Sequence, residues 1–263
     1  MALDWGVFCK DTISGEVAEH CLSSIFGGGS ESDPTYLDWL MSAWGWTILV
    51  AALSLFLALV LGTLIGTLRT IPSGVKGGRW LVLLATIWVE VFRNIPVLVQ
   101  VFVWYHVVPA VFPVMKAFPS YWLVSIALGL YTSARIAEQV RAGIQSLPSG
   151  QRAAGVALGL STFQVYRFVI LPMGLRIVIP PLTSECMNLV KNSSVAFAVS
   201  VPELTMFAMQ AQEETSRGIE IYLVVTALYA LSAFAVNRVM TWIERRTRVP
   251  GFIAPASSTS AAH

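Results

Sequence analysis

An all-α integral membrane protein is the fold class this sequence predicts, and three observations predict it. Of 263 residues, 56% are hydrophobic and only 12% charged, against about 25% charged in an ordinary soluble domain. Mean hydropathy is +0.69. Apolar stretches recur at the length needed to cross a hydrocarbon core about 30 Å thick, roughly 20 residues at 1.5 Å each. A single water-soluble core could not hide that much apolar surface, and disorder, collagen and disulfide-rich secreted scaffolds fail on the same composition. Lipid offers no partner to an unpaired backbone amide, and the ten-residue alternation of a barrel is absent, so helices are the remaining solution.

Five transmembrane helices are predicted. No charged residue lies between Asp38 and Arg69, which places the first near Trp46 to Leu68. The others fall near Trp80 to Val107, Tyr121 to Val140, Ile177 to Val201 and Ile221 to Ile243. Basic residues set their direction. Arg69, Lys76 and Arg79 follow the first span, Arg141, Arg152, Arg167 and Arg176 the third, and Arg245, Arg246 and Arg248 the fifth, so these segments read as cytoplasmic. The opposite side holds Lys10, Lys116 and Arg217 beside Asp4, Asp11, Glu16, Glu19, Glu31, Asp33, Asp38, Glu203, Glu213, Glu214 and Glu220. The N-terminus is therefore expected outside and the C-terminus inside.

The chain divides into an outer segment (1–45), a transmembrane domain (46–243) with a cytoplasmic connection (141–176), and a cytoplasmic tail (244–263). Met1 to Trp44 lacks the basic and apolar regions of a cleaved signal, so the first span is expected to carry it across. Gly27, Gly28, Gly29 and Ser30 punctuate the outer segment, and Pro255 to His263 is rich in Ser and Ala, a composition that favours disorder. Cys186 lies in a span and reads as packing. Cys9 and Cys21 lie on the oxidising side, where they are free to pair or to remain thiols; pairing would stabilise the segment by roughly 3 kcal/mol in the chain-entropy account.

Enzyme chemistry finds little support. There is no glycine-rich phosphate loop ending in Gly-Lys-Ser or Gly-Lys-Thr, no HExxH, no CxxC and no GxSxG. His20, His106 and His263 are the only histidines and lie far apart. The unusual chemistry is inside the membrane: Glu90 and Arg93 interrupt the second span, Arg135 and Glu138 the third, Glu185 and Lys191 the fourth. A charge at mid-bilayer costs at least about 2.5 kcal/mol, so such residues need a partner or a wet cavity. Glu90 with Arg93 and Arg135 with Glu138 are spaced i,i+3, which suits internal ion pairs; six such residues also suit a polar path.

The connection from Val140 to Arg176 is too short in its apolar stretches to span and too apolar for a solvated loop. Pro148, Ser149 and Gly150 make a helix start, Ala153 to Leu158 a short Ala-rich helix, and Gly159 its stop, with Pro172 expected to open the next helix. A small-faced helix between spans suits a partner's groove. Its single Arg152 does not provide the cationic face of a membrane-surface helix.

Taken together, these residues resemble a permease subunit of an ABC importer for polar amino acids, over about Thr47 to Gly251. The resemblance is carried by Arg93, Asn94, Ile95, Pro96, Val97, Leu98, Val99 and Gln100, by Glu138 to Arg141, and by Gly143 to Pro148. Gly150, Gln151, Ala154, Leu158, Gly159, Leu171 and Pro172 match the family's coupling signature, called the EAA loop. Thr183 to Glu185, Met187 to Ser193, Glu244 to Arg246 and Pro250 with Gly251 look particularly like the glutamate/aspartate branch. Ala153 departs from the signature's acidic residue and Gly155 from its second alanine. Val169 replaces the usual Ile. Arg135 stands where the family is usually aromatic, and Ser184 where it is usually Asn.

The resemblance implies a type I importer fold whose coupling helix docks on a separate cytoplasmic ATP-binding subunit dimer. It also implies a second homologous permease, a periplasmic solute-binding protein and a place in the bacterial inner (plasma) membrane among its lipids. ATP and Mg would be bound by the ATPase, with no cofactor, catalytic residue or metal on this chain and no role for nucleic acid. Within that frame Arg135 is expected to take a substrate carboxylate, because its planar fork stays charged and grips two oxygens. Ser184, Asn188 and Ser193 or Ser194 would hold the remaining groups. The competing reading pairs Arg135 with Glu138 alone. Gly159 is expected to let the coupling helix approach the ATPase, and the acidic connection from Glu203 to Glu220 to meet the binding protein. An ion-coupled transporter or channel is the alternative, weakened by the lack of an inverted repeat.

Overall fold

Thr35 and Asp38 decide where the first long helix begins. The computed structural model describes residues 3–17, 21, 34–72, 74–75 and 77–247. In it Thr35 Oγ1 accepts from the Asp38 amide at 3.3 Å, and the Thr35 amide donates to Asp38 Oδ2 at 3.0 Å. This reciprocal cap satisfies two orphan amides and seats a carboxylate at the positive end of the helix. Helix α1 (Tyr36–Leu68) therefore starts ten residues ahead of the expected Trp46. At about 50 Å for its 33 residues, it outreaches the hydrocarbon core, and its first turns pack with the N-terminal segment at one end of the molecule.

The second predicted span is broken. Helix α2 (Gly78–Asn94) and the helical arm α3 (Val97–Phe102) continuing into α4 (Val108–Val111) meet at 105° across Ile95 and Pro96. Pro96 has no amide to give, and its ring forces Ile95 into extended backbone (φ −95°, ψ 131°). Gln100 Nε2 stitches the break by donating to the carbonyls of Phe92 and Ile95 at 2.8 and 2.9 Å. The expected continuous helix from Trp80 to Val107 is thus corrected to two arms.

Helix α5 (Ser120–Gln145) lies against α1. The seam between them is lined by glycine: a Cβ on Gly62 would fall 2.7 Å from Ile136, one on Gly66 2.6 Å from the Ala137 carbonyl, and one on Gly129 2.8 Å from Leu57. Small residues of this kind let membrane helices approach where no hydrophobic force joins them. Since Leu57, Gly62 and Gly66 meet Gly129, Ile136 and Val140 in rising order, the two helices run parallel.

After α5 come α6 (Ser149–Ala157), α7 (Thr162–Val165) and α8 (Leu171–Asn192). Helix α6 begins at Ser149, directly after Pro148, as expected from Pro148, Ser149 and Gly150. A second correction concerns Pro172, which does not open a helix. Ser161 and Gln164 form a capping box at the start of α7, and one helical run continues from Thr162 to Val199. The run absorbs Pro172 by widening into a π-helical stretch over Tyr166–Ile170, as the second arm does at Val103–Val107 ahead of Pro109. Helix α8 is antiparallel to α5: Gly143 meets Val178, whereas Arg135 meets Glu185.

Helices α9 (Leu204–Thr215) and α10 (Gly218–Thr247) close the described chain. The expected acidic loop from Glu203 to Glu220 is therefore mostly helix. Among the described residues, three helical runs are long and apolar enough to cross a membrane (Tyr36–Leu68, Thr162–Val199, Gly218–Thr247), and the bent pair is a fourth candidate. Helix α5, about 39 Å long for its 26 residues, is less apolar and is not among them.

Two ends of the bundle are chemically distinct. At one, the Tyr166 hydroxyl donates to the Thr70 carbonyl, so the end of α1 and the start of the α7–α8 run meet, with α6 beside them. At the other, the Asp4 amide donates to Glu220 at 3.0 Å, Arg217 pairs with Asp4 at 3.4 Å and the Tyr36 hydroxyl donates to Glu214 at 2.8 Å. Val7 and Phe8 join Leu40, Phe207 and Ile221 in an apolar cluster there. Cys9 and Cys21 form a disulfide with Cα atoms 5.0 Å apart, which closes the choice left open by the sequence. The expectations on Lys76, Glu19, Glu31, Asp33, Arg248, Gly27 to Ser30, His20, and the tail from Pro250 to His263 lie outside the described residues.

Gly62→Val is expected to force α1 and α5 apart and to destabilise the protein by about 1–3 kcal/mol, read as a lower melting midpoint in detergent. Gly45→Ala, whose new Cβ would meet nothing within 4 Å, should leave that midpoint near wild type; equal losses in both would refute the seam.

Candidate functional site

The charges inside the bundle sort by the helix that each faces. Arg135 and Glu138 stand about 60° apart around α5, near enough to pair, yet each is taken by a neighbouring helix and the expected pair between them does not form. Arg135 turns to α8, where its Nε donates to Glu185 Oε2 at 2.7 Å and one Nη to Oε1 at 3.1 Å. Gln139, one turn further on, donates to the same carboxylate at 3.1 Å. Glu138 instead turns to α1, meeting Arg69 at 2.6 Å, with Arg141 at 2.9 Å and Arg93 at 3.7 Å. The Glu90–Arg93 pair holds only at 4.0 Å between half-exposed side chains, and Glu90 also accepts from Asn94 at 3.0 Å.

Burial separates the two partners of the central pair. Glu185 is 6% exposed, and a bidentate guanidinium is what makes a carboxylate tolerable there. The Arg135 side chain remains 39% exposed. The arrangement therefore holds a fixed guanidinium by one edge and leaves it open on the other.

Four polar residues expected around Arg135 divide in two. Ser184 and Asn188, at i,i+4 on α8, are exposed and half-buried respectively. Ser193 is fully buried and donates back to the Val190 carbonyl at 2.7 Å, so it faces the core, while Ser194 is half-buried in the 3-10 turn that follows α8. Lys191 is exposed and has no ion pair among the described residues. Sequence reasoning missed Gln139 and Arg69 as members of these networks. A polar residue one turn after Arg135 was the available signal for the first; the second needed the tertiary contact.

At the basic end, α6 terminates by a Schellman motif. The Leu160 amide donates to Gly155 O at 3.1 Å and the Gly159 amide to Val156 O at 2.9 Å, with Gly159 at φ +81°. Gly155, a departure noted above, has a steric cause: a Cβ there would fall 2.9 Å from Val165. Of the signature residues, Gly150, Ala154, Gly159 and Pro172 are exposed, Leu158 is 81% exposed, and Gln151 and Leu171 are half-buried. A cavity of ≈ 200 Å³, lined in part by Thr70, Gln145, Arg152 and Tyr166, lies behind α6. Helix α6 thus presents an apolar, small-residue face outward while one glycine anchors it.

At the acidic end, Glu203 is fully buried and cannot serve as a docking charge. Its carboxylate accepts from the amides of Thr205 and Met206 at 2.9 and 3.0 Å and from the Tyr229 hydroxyl, capping α9. Burial nonetheless pushes its pKa upward, outweighing these hydrogen bonds. Glu213 is exposed beside Gln212, Ser216 and Tyr222 in an open groove.

A helical bundle with a charged, part-open face at mid-span and a protruding short helix at its basic end defines the membrane subunit of a transport machine. The chain belongs to the family of binding-protein-dependent transport system inner membrane components, which matches residues 58–249. It is 39% identical over 227 residues to the glutamate/aspartate import permease GltJ of Escherichia coli strain K12, covering 82% of this chain and 90% of that protein. The glutamine transport system permease GlnP of the same strain is 31% identical over 204 residues, 77% of this chain and 90% of the relative. Among solved structures, an amino acid ABC transporter determined with histidines matches at a TM-score of 0.68 and 27% identity, over 80% of this chain and 95% of its own. The inward-facing MetNI methionine transporter shares the fold at a TM-score of 0.69 and 22% identity, over 84% of this chain and 100% of its own.

The raised pKa of Glu203 has a signed consequence. Its folded-state value lies above the ordinary 4.5, so the stability it contributes is complete below that pH and is lost as pH rises through the folded value. Wild-type protein in detergent should melt higher as pH falls toward 4.5, with Glu203→Gln showing a flatter profile; identical profiles would count against a buried, titrating Glu203.

Proposed function

We propose that this chain is the permease subunit of an ATP-driven ABC importer for acidic amino acids, glutamate and aspartate, and that substrate passes the open edge of Arg135. One observation carries the reading: a guanidinium at mid-span, gripped on one side by a buried carboxylate and open on the other. A ligand carboxylate entering a low-dielectric path needs such a cation, and arginine stays charged at every accessible pH. Ser184 and Asn188 stand where they can take the other polar groups of the substrate, with Ser194 further along. Ser193 joins them only if its turn rearranges. The name of the 39% identical relative supports the acidic substrate, and the glutamine permease supports the wider class of polar amino acids.

The same reading gives the chain five spans, with the broken pair and α5 counted as two of them. The end bearing Arg69, Arg141, Arg152, Arg167 and Arg176 then faces the cytoplasm, and the disulfide-closed end faces outside. The outer segment is 1–45 and takes in the first turns of α1, the coupling connection occupies 141–176, and the C-terminal tail from 244 is cytoplasmic. Partners are an ATP-binding subunit dimer, a second homologous permease and a periplasmic solute-binding protein, with Glu213 on the surface offered to the last. ATP and Mg belong to the ATPase; this chain supplies a path and a lever without covalent chemistry. Closure of the ATPase on ATP would pull α6, and α6 would move the ends of α1, α5 and α8 between two packed arrangements.

Removing Arg135 alone strands Glu185 in the core at a cost of about 3–5 kcal/mol, so the informative variant joins Arg135→Met to Glu185→Gln. It should assemble with its partners yet lose apparent affinity for glutamate roughly 30-fold, equivalent to about 2 kcal/mol; uptake at wild-type affinity would remove Arg135 from the path. Gly159→Asp meets open space but strains a turn held at φ +81° by about 1 kcal/mol; compared at abundance matched to wild type it should still fail in ATP-coupled uptake, and normal uptake would end the coupling role of that turn. Uptake that persists under vanadate, with no ATPase co-purifying, would favour the ion-coupled alternative.

A further inference from the structure

We propose that Arg152 is the electrostatic contact through which α6 engages the ATP-binding subunit, and that the surface receiving it presents a carboxylate within an otherwise apolar seat. The inference rests on the functional reading above and deepens it by naming the chemistry of the partner's surface. Ser149, Arg152, Ala153, Val156 and Ala157 line one open groove along α6. Their spacing, i, i+3, i+4, i+7 and i+8, puts them on one helical face. Arg152 is the sole ionisable residue of the helix and has no hydrogen-bond or ion-pair partner among the described residues.

The surrounding chain offers it no counter-ion. From Gln139 to Ser184 the sequence carries Arg141, Arg152, Arg167 and Arg176 without one Asp or Glu. The cavity behind α6, which Arg152 also lines, holds no acidic residue either. Glu138, toward that end of the bundle, is already shared by Arg69, Arg93 and Arg141, and Gln145 accepts from Arg141 at 2.8 Å. A half-buried arginine with five donors and no acceptor loses hydration without compensation. Its acceptor therefore comes from another molecule.

Side-chain size selects a protein surface over lipid. A helix that lies on a bilayer sinks bulky apolar residues below a row of cations. Here Ser149, Ala153 and Ala157 keep the face low, and Val156, 56% exposed, is its one branched apolar residue. A low face lets a partner's surface come close and exclude water, which is where an arginine contributes most to binding. Its planar fork then takes a carboxylate through two parallel hydrogen bonds. With no acidic residue on α6, the negative charge of the contact belongs to the receiving surface.

The test is titration of the ATP-binding subunit, purified apart, onto the permease complex in detergent, reading the site that this chain contributes. Arg152→Glu should weaken that site roughly 30-fold, and Arg152→Lys, which keeps the charge, should stay within about fivefold of wild type. A carbodiimide, which joins an amine to a carboxylate in direct contact, should then link the Arg152→Lys variant to an Asp or Glu of the ATP-binding subunit; absence of that link overturns the carboxylate. The melting midpoint of the permease without the ATPase should hold in both variants, because Arg152 has no partner to lose. Wild-type affinity in Arg152→Glu overturns the proposal, and so does a loss of binding that follows a fall in that midpoint, the signature of a structural arginine. If Arg152→Glu leaves ATPase binding intact and lowers only the anionic lipid retained through purification, the groove is a lipid contact and the proposal falls. Binding by wild type with no response to Arg152 leaves the importer reading standing, whereas no binding by wild type overturns both.

Discussion

The glycine-lined contact between α1 and α5 is the constraint on which the rest of the bundle depends. Because Gly62 and Gly66 allow backbone approach, α5 sits deep enough for its other faces to meet α2, α3 and α8. Its rotation is then set. Ile136 and Val140 point into the seam, Glu138 falls at the ends of α1 and α2, and Arg135 is left toward α8. A larger residue in the seam would move all of these together, since interiors this closely packed transmit displacement rather than absorb it.

Charge follows from that geometry. Within hydrocarbon every ionised group needs a partner, and this bundle meets the demand in two ways. Glu138 collects arginines from the ends of α1, α2 and α5, tying three helices at the basic end. Glu185 takes one arginine and one glutamine, and does so from a buried position that leaves the arginine part-open. The first network is a joint between helices, whereas the second leaves its arginine part-exposed, and the distinction lies in exposure rather than residue type.

Proline provides the third organising element. Pro96 breaks the second predicted span at 105°, and Pro109 and Pro172 are carried by π-helical turns that precede them. Each lies where a straight ladder of backbone bonds would otherwise run on, and each loosens that ladder at an end of the bundle or beside α5. The coupling helix joins the bundle by few contacts, chiefly Gly155 against Val165. Leu158 and its neighbours are thereby left exposed.

Much was legible in the sequence because solvent, not tertiary contact, dictates it. Apolar run length, the asymmetry of Lys and Arg and the short helix ending at Gly159 follow from local composition and from the demand of lipid for satisfied backbone; the family was legible by resemblance to a known signature. Tertiary structure decided what composition cannot encode. The Arg135 side chain has two carboxylates within reach along the chain, Glu138 by spacing and Glu185 by fold, and only the rotation of α5 selects the second. The start of α1 is set by a cap that is local in sequence, Thr35 with Asp38, whereas the cap of α9 at Glu203 also draws on burial and on Tyr229, 26 residues away. Sequence alone therefore determined that charges lie within the membrane domain, while packing determined which of them are spent on one another and which stay part-exposed, because partner choice in a low dielectric is a matter of ångströms between helices.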